Sequence, residues 1–90
     1  MTKEKHTILG VHITDRVKEA VEVQKLLTTF GEQIKTRLGL HEVGTPTSPN
    51  GLLLLEMVGT DKGIQELSDK LNAIDGVEVQ SMVFFHPTGA

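Results

Sequence analysis

Four histidines, His6, His12, His41 and His86, are the side chains of this 90-residue chain best suited to ligate a transition metal, because it contains no cysteine. That absence excludes a disulfide framework, a thiolate nucleophile and any cysteine-based zinc or iron–sulfur centre. On one extended strand, His6 and His12 would stand about 20 Å apart, too far to share an ion. A metal site therefore needs ligands from two subunits, and His12, His41 and Glu56 are its candidates, since symmetry doubles what an interface can supply. Without a metal, His12 is expected to hydrogen-bond Glu56 across two parallel neighbouring strands, which would make assembly pH-sensitive. For covalent catalysis the residues offer little. Ser48, Ser68 and Ser81 lack a Gly-x-Ser-x-Gly setting, and no Gly-x-x-x-x-Gly-Lys loop occurs. An enzyme is not expected, the alternative being a small open-faced ferredoxin-like one. No cofactor is demanded; a metal or a small-molecule effector is what a site here would take.

Charge and composition narrow the partners. Lys and Arg number 9 against 12 Asp and Glu, giving a net charge of -3 and a pI near 5.7. Without a run of basic residues, phosphate neutralisation is weak and direct nucleic-acid binding is not expected. A sheet that reads RNA also presents aromatic side chains, and this chain has three Phe, no Tyr and no Trp. The apolar run Leu52 to Leu55 is far too short to span a bilayer, and the first residues lack the apolar stretch of a secretion signal. A cytoplasmic protein without membrane contact is the expectation. The length suits one domain over residues 1–90, with a core over about 6–85 and short flexible termini.

The positioning elements follow from periodicity. Leu9, Val11 and Ile13 alternate with Gly10, His12 and Thr14, the pattern of a half-buried strand. Thr14 and Asp15 can cap a helix, and Val17, Ala20, Val23, Leu27, Phe30, Ile34 and Leu38 recur at steps of three or four. One long helix from Arg16 to Leu38, stopped by Gly39, is predicted. Leu40 to Pro46 reads as a short strand and Pro46 to Gly51 as a turn, joining it in a hairpin to the aliphatic run Leu52 to Val58. Thr60 or Asp61 caps a second helix with the stripe Ile64, Leu67, Leu71 and Ile74, and Gly76 ends it. Val77 to Phe85 alternates again as a last strand.

The order β-α-β-β-α-β, with right-handed crossovers, predicts an α+β ferredoxin-like sandwich: a four-stranded antiparallel sheet, first and third strands central, and both helices on one face. The other face should then be polar, yet it is not. If Leu9, Val11 and Ile13 face the helices, the open face carries Gly10, His12, Met82 and Phe84, with Leu52 and Leu54 from the third strand. An apolar patch of that size on so small a domain marks an oligomer interface, and a homodimer or homotetramer is expected, with room for a further protein partner.

Three segments carry a family resemblance: His12-Ile13-Thr14-Asp15-Arg16, Arg37-Leu38-Gly39-Leu40, and Leu67 to Val77 with its Leu-x-x-Lys-Leu core and Gly76-Val77. Together they resemble the small regulators of iron-only hydrogenase systems, over about Lys5 to Phe84. The resemblance implies a stand-alone ACT-like domain, similar in fold to the C-terminal ligand-sensing domain of nickel-responsive repressors, and a small oligomeric sensor associated with anaerobic metal metabolism. It does not extend to the nickel site of those repressors: His41 is followed by Glu42 and Val43 where they have a His-x-His pair, and their cysteine is missing. Nor is their ribbon-helix-helix segment present. An ACT-type ligand site would lie at the first strand–helix turn, which makes Asp15 and Arg16 the candidate ligand-binding residues, with Arg16 holding a carboxylate.

Overall fold

A computed structural model describes residues 3–40 and 51–87. Four strands form one antiparallel sheet: β1 (Lys3–Ile13), β2 (Ile34–Leu40), β3 (Gly51–Met57) and β4 (Val77–Pro87), in the order β2-β3-β1-β4. Two helices, α1 (Arg16–Thr29) and α2 (Asp61–Asn72), complete the βαββαβ order of the ferredoxin-like class. Both pack on the face bearing Leu9, Val11 and Ile13. There Val23, Leu27 and Phe30 from the α1 segment and Leu67 and Leu71 from α2 close over Leu55, Met57 and Val77.

α2 starts on a side-chain cap and ends at Asn72 with Ala73 as its C-cap, before the Gly76 expected to stop it. Thr60 is its N-cap, its hydroxyl accepting from the Gly63 N–H at 3.1 Å. Gly76, at φ 86°, turns the chain into β4, and its carbonyl accepts from the Thr14 N–H at 2.9 Å, tying that turn to the entry of α1. The Asn72 side chain accepts from the Val79 N–H at 2.8 Å, closing part of the outer edge of β4. Thr60→Ala should therefore lower the unfolding free energy by about 1 kcal/mol, read by urea titration. An unchanged midpoint would show that the cap does not hold the helix.

The predicted long helix is corrected. α1 ends at Thr29, a 3-10 turn covers Gly31–Gln33, and β2 begins at Ile34. Phe30, Ile34 and Leu38 are spaced by four, which fits one face of a helix, but the register shift after Ile34 puts Ile34 on the Met57 side of β2 and Leu38 on the Leu54 side. Glycine at position 31 disfavours helix by about 1 kcal/mol and decides the matter. The second strand is thus Ile34–Leu40, with Gly39 inside it, and the strand expected over Leu40 to Pro46 lies, beyond Leu40, outside the described residues. A register shift between Ile34 and Thr36 bends its start. The hairpin partnership of β2 and β3 holds, while His41 and the turn residues Pro46 to Asn50 lie outside the described residues.

A second correction concerns the central strands. β1 and β3 run antiparallel, pairing His12 with Leu52 and Ile8 with Glu56. His12 and Glu56 are therefore four positions apart along the sheet, about 13 Å, and cannot bond within one chain. Neighbouring strands in the order β2-β3-β1-β4 alternate in direction, so two adjacent central strands cannot be parallel in this antiparallel sheet.

Candidate functional site

Cross-strand partners share a face, so the register assigns the surface opposite the helices. β1 contributes His6, Ile8, Gly10 and His12; β3 contributes Leu52, Leu54 and Glu56; β4 contributes Glu78, Gln80, Met82 and Phe84; β2 contributes Thr36 and Leu38. Gly10, His12, Leu52, Leu54, Met82 and Phe84 thus lie together on that face, and the alternation in β1 and β4 had placed them there. Met82 retains 52% of its surface, Phe84 51% and Leu38 53%. Phe85, on the opposite side of the β1–β4 ribbon, is 62% exposed, and the Lys5 ammonium stands 5.9 Å from its ring centre. The ribbon therefore ends in two exposed phenyl groups, one on each side.

Among the described residues, the sheet borders a hollow and a cleft that gather polar side chains. One is a hollow of about 300 Å³ on the open face, lined by Gly10, His12, Leu52, Glu78 and Gln80. His12 faces Glu78 across the β1–β4 pair, and the Gln80 amide donates to the Glu78 carboxylate at 3.0 Å. Glu78 is thus the carboxylate beside His12, a pairing that an antiparallel alignment of β1 with β4 would have exposed in the sequence. The other is a cleft of about 640 Å³ where β1, β2 and β3 meet the first turn of α2, lined by Lys5, His6, Lys35, Glu56 and Asp61 among others. Of these, only Glu56 was singled out from the sequence as a site residue. Lys35 was hidden by its assignment to a helix, and Lys5 and Asp61 are 56 residues apart in the chain.

The remaining candidates are dispersed. Asp15 precedes α1 and Arg16 opens it, at the end of β1 opposite the cleft. Among the described residues no three His, Asp or Glu side chains gather as a metal site. Behind the cleft, the Gln33 side-chain oxygen is buried without a hydrogen-bond partner. It packs where a side chain at Gly63 would stand, and Gly59, at φ 101°, gives it room on the other side. Gln33→Met keeps the shape and removes the unmet acceptor, so it should raise stability by about 1 kcal/mol in chemical denaturation. A loss of that size would mean that the amide is satisfied in solution.

The sheet order, antiparallel register and one-sided helices place the chain in the ferredoxin-like class shared by ACT domains and PII-like proteins. Among solved structures, it is similar to the uncharacterized protein TM1266 from Thermotoga maritima, at 29% identity and a TM-score of 0.78, over 92% of this chain and 99% of that one. The ACT domain from GTP pyrophosphokinase of Chlorobium tepidum matches at 20% identity and a TM-score of 0.58, covering 91% and 89%. CPII, a nitrogen regulatory PII-like protein from Thiomonas intermedia K12 solved with ADP, AMP and bicarbonate, matches at 12% and 0.57, covering 92% and 93%. No protein-family model matches the chain, and no curated protein does.

Proposed function

We propose that this chain is a small homo-oligomeric regulatory domain that senses a ligand and acts through protein contact, not catalysis. The observation that carries this reading is the open sheet face, where Leu38, Leu52, Met82 and Phe84 stay exposed on a domain with little surface to spare. Covering half-exposed side chains of this size contributes roughly 1 kcal/mol each, which favours a second copy over bare surface. Support for the sensing role comes from fold neighbours with regulatory names, an ACT domain and a nitrogen regulatory PII-like protein. The association with iron-only hydrogenase systems rests on the sequence resemblance. Asp15 and Arg16 are the proposed ligand contacts at the first strand–helix turn, with Arg16 holding a ligand carboxylate. A metal-sensing variant of this reading uses His12, His41 and Glu56 from more than one subunit, because His12 and Glu56 do not meet within a chain.

A thermal-shift panel of adenine nucleotides, free amino acids, nickel, zinc and iron tests the sensing role. A ligand at about one hundred times its Kd stabilises the native state by about 2.7 kcal/mol. A rise in Tm with one small-molecule class is expected. A rise with metals that His12→Ala and His41→Ala abolish would favour the metal-sensing variant, and an unchanged Tm across the whole panel would contradict sensing of these classes.

A further inference from the structure

We propose that the cleft between the first half of β1, the start of β2 and the first turn of α2 binds a small oxyanion carrying two or more negative charges. This goes beyond the assembly reading and does not depend on it. The volume, about 640 Å³, lies within the range of small-molecule sites. Lys5 and His6 enter it from β1 and Lys35 from β2, against the carboxylates of Glu56 and Asp61.

The two carboxylates differ in what they leave available. Asp61 is already held by the Lys5 ammonium at 2.7 Å. Glu56 meets Lys35 only at 4.0 Å, the outer limit of an ion pair, with the lysine 63% exposed. Exposed pairs of this kind stabilise little, so Lys35 is readily given up to a better partner. An incoming dianion or polyanion can take the Lys35 ammonium from Glu56 and share the Lys5 ammonium with Asp61, since both lysines line the one cleft, and its extra charge offsets the two carboxylates better than a monoanion can. A cation fits less well, because one carboxylate is tightly paired and no three acidic or histidine side chains converge among the described residues. Carboxylates and phosphates share the required chemistry, so both sources belong in the test.

Titration of the 90-residue chain with pyrophosphate and with citrate, followed by backbone amide NMR shifts, reads binding directly, with acetate as the monovalent control. Saturable shifts at Lys5, His6, Lys35 and the Gly59–Lys62 turn are expected for at least one polyanion and not for acetate. Preference for pyrophosphate assigns the site to phosphate groups, and preference for citrate assigns it to carboxylates. Lys35→Ala should weaken binding about tenfold, the loss of a charge-assisted contact. Glu56→Gln should tighten it about threefold by removing a competing carboxylate. No saturable shift up to roughly 10 mM of either polyanion would overturn the proposal. So would weaker binding in Glu56→Gln, since Glu56 would then be accepting from the ligand. Sedimentation mass is not read in this experiment, so its failure is separable from failure of the assembly reading.

Discussion

Phe84→Glu and Met82→Lys, each made alone, should convert the protein from an oligomer to a single 9.8 kDa chain by size-exclusion chromatography with light scattering. Both side chains are about half exposed in the lone chain, so neither change disturbs the packed core. A two-fold assembly, however, would bury each new charge twice. An unpaired buried charge destabilises by roughly 3–5 kcal/mol, so association should weaken by two orders of magnitude or more. Phe85→Glu is the informative contrast. Its ring lies on the other side of the ribbon, and assembly through the open face should survive the change. If Phe85→Glu dissociates the protein and Phe84→Glu does not, the interface is on the wrong side of the sheet. Thermal unfolding of the Phe84→Glu chain distinguishes dissociation from loss of fold.

Leu67→Ala is expected to have the largest effect on stability. Leu67 is fully buried, and it stands in the one apolar layer between α2 and the sheet, with Leu9, Val11, Leu55 and Leu71 in the same cluster. Removing three carbons there costs the lost transfer energy plus that of the cavity, about 3–5 kcal/mol. In a domain of this size each kcal/mol moves Tm by about 4–8 °C, so a fall of at least about 12 °C is predicted. If the domain self-associates, the Tm should also rise with protein concentration, because assembly adds to native-state stability by mass action. A Leu67→Ala loss below about 1 kcal/mol would show that α2 packs more loosely than its burial implies.

The legible parts of the fold were those with one period and a local terminator. Leu9, Val11 and Ile13 alternate without interruption, and all three are buried. Thr60 and Gly76 mark the start of α2 and the turn after it by side-chain and backbone chemistry that operates within a few residues. Reading failed at Phe30, Ile34 and Leu38, whose helical spacing runs across a 3-10 turn and a strand with a register shift, and where the decisive fact was long-range. Which carboxylate approaches His12 depends on strand pairing, not on spacing along the chain. β1 meets β4 across more than sixty residues of sequence, so Glu78 could be found only after the register was known. The cleft is harder still. Its basic side chains come from β1 and β2 and its carboxylates from β3 and α2, and no motif links them.

The apolar face itself followed from parity alone: once one side of β1 is buried under helices, Met82 and Phe84 have to point the other way. What covers them can be observed by isotope-filtered NOE spectroscopy on a mixture of labelled and unlabelled protein. Cross-chain contacts from the Met82 methyl and the Phe84 ring to Leu52 and Leu54 methyls of another copy are predicted. A mass of one chain with no cross-chain contact from these side chains would contradict the account.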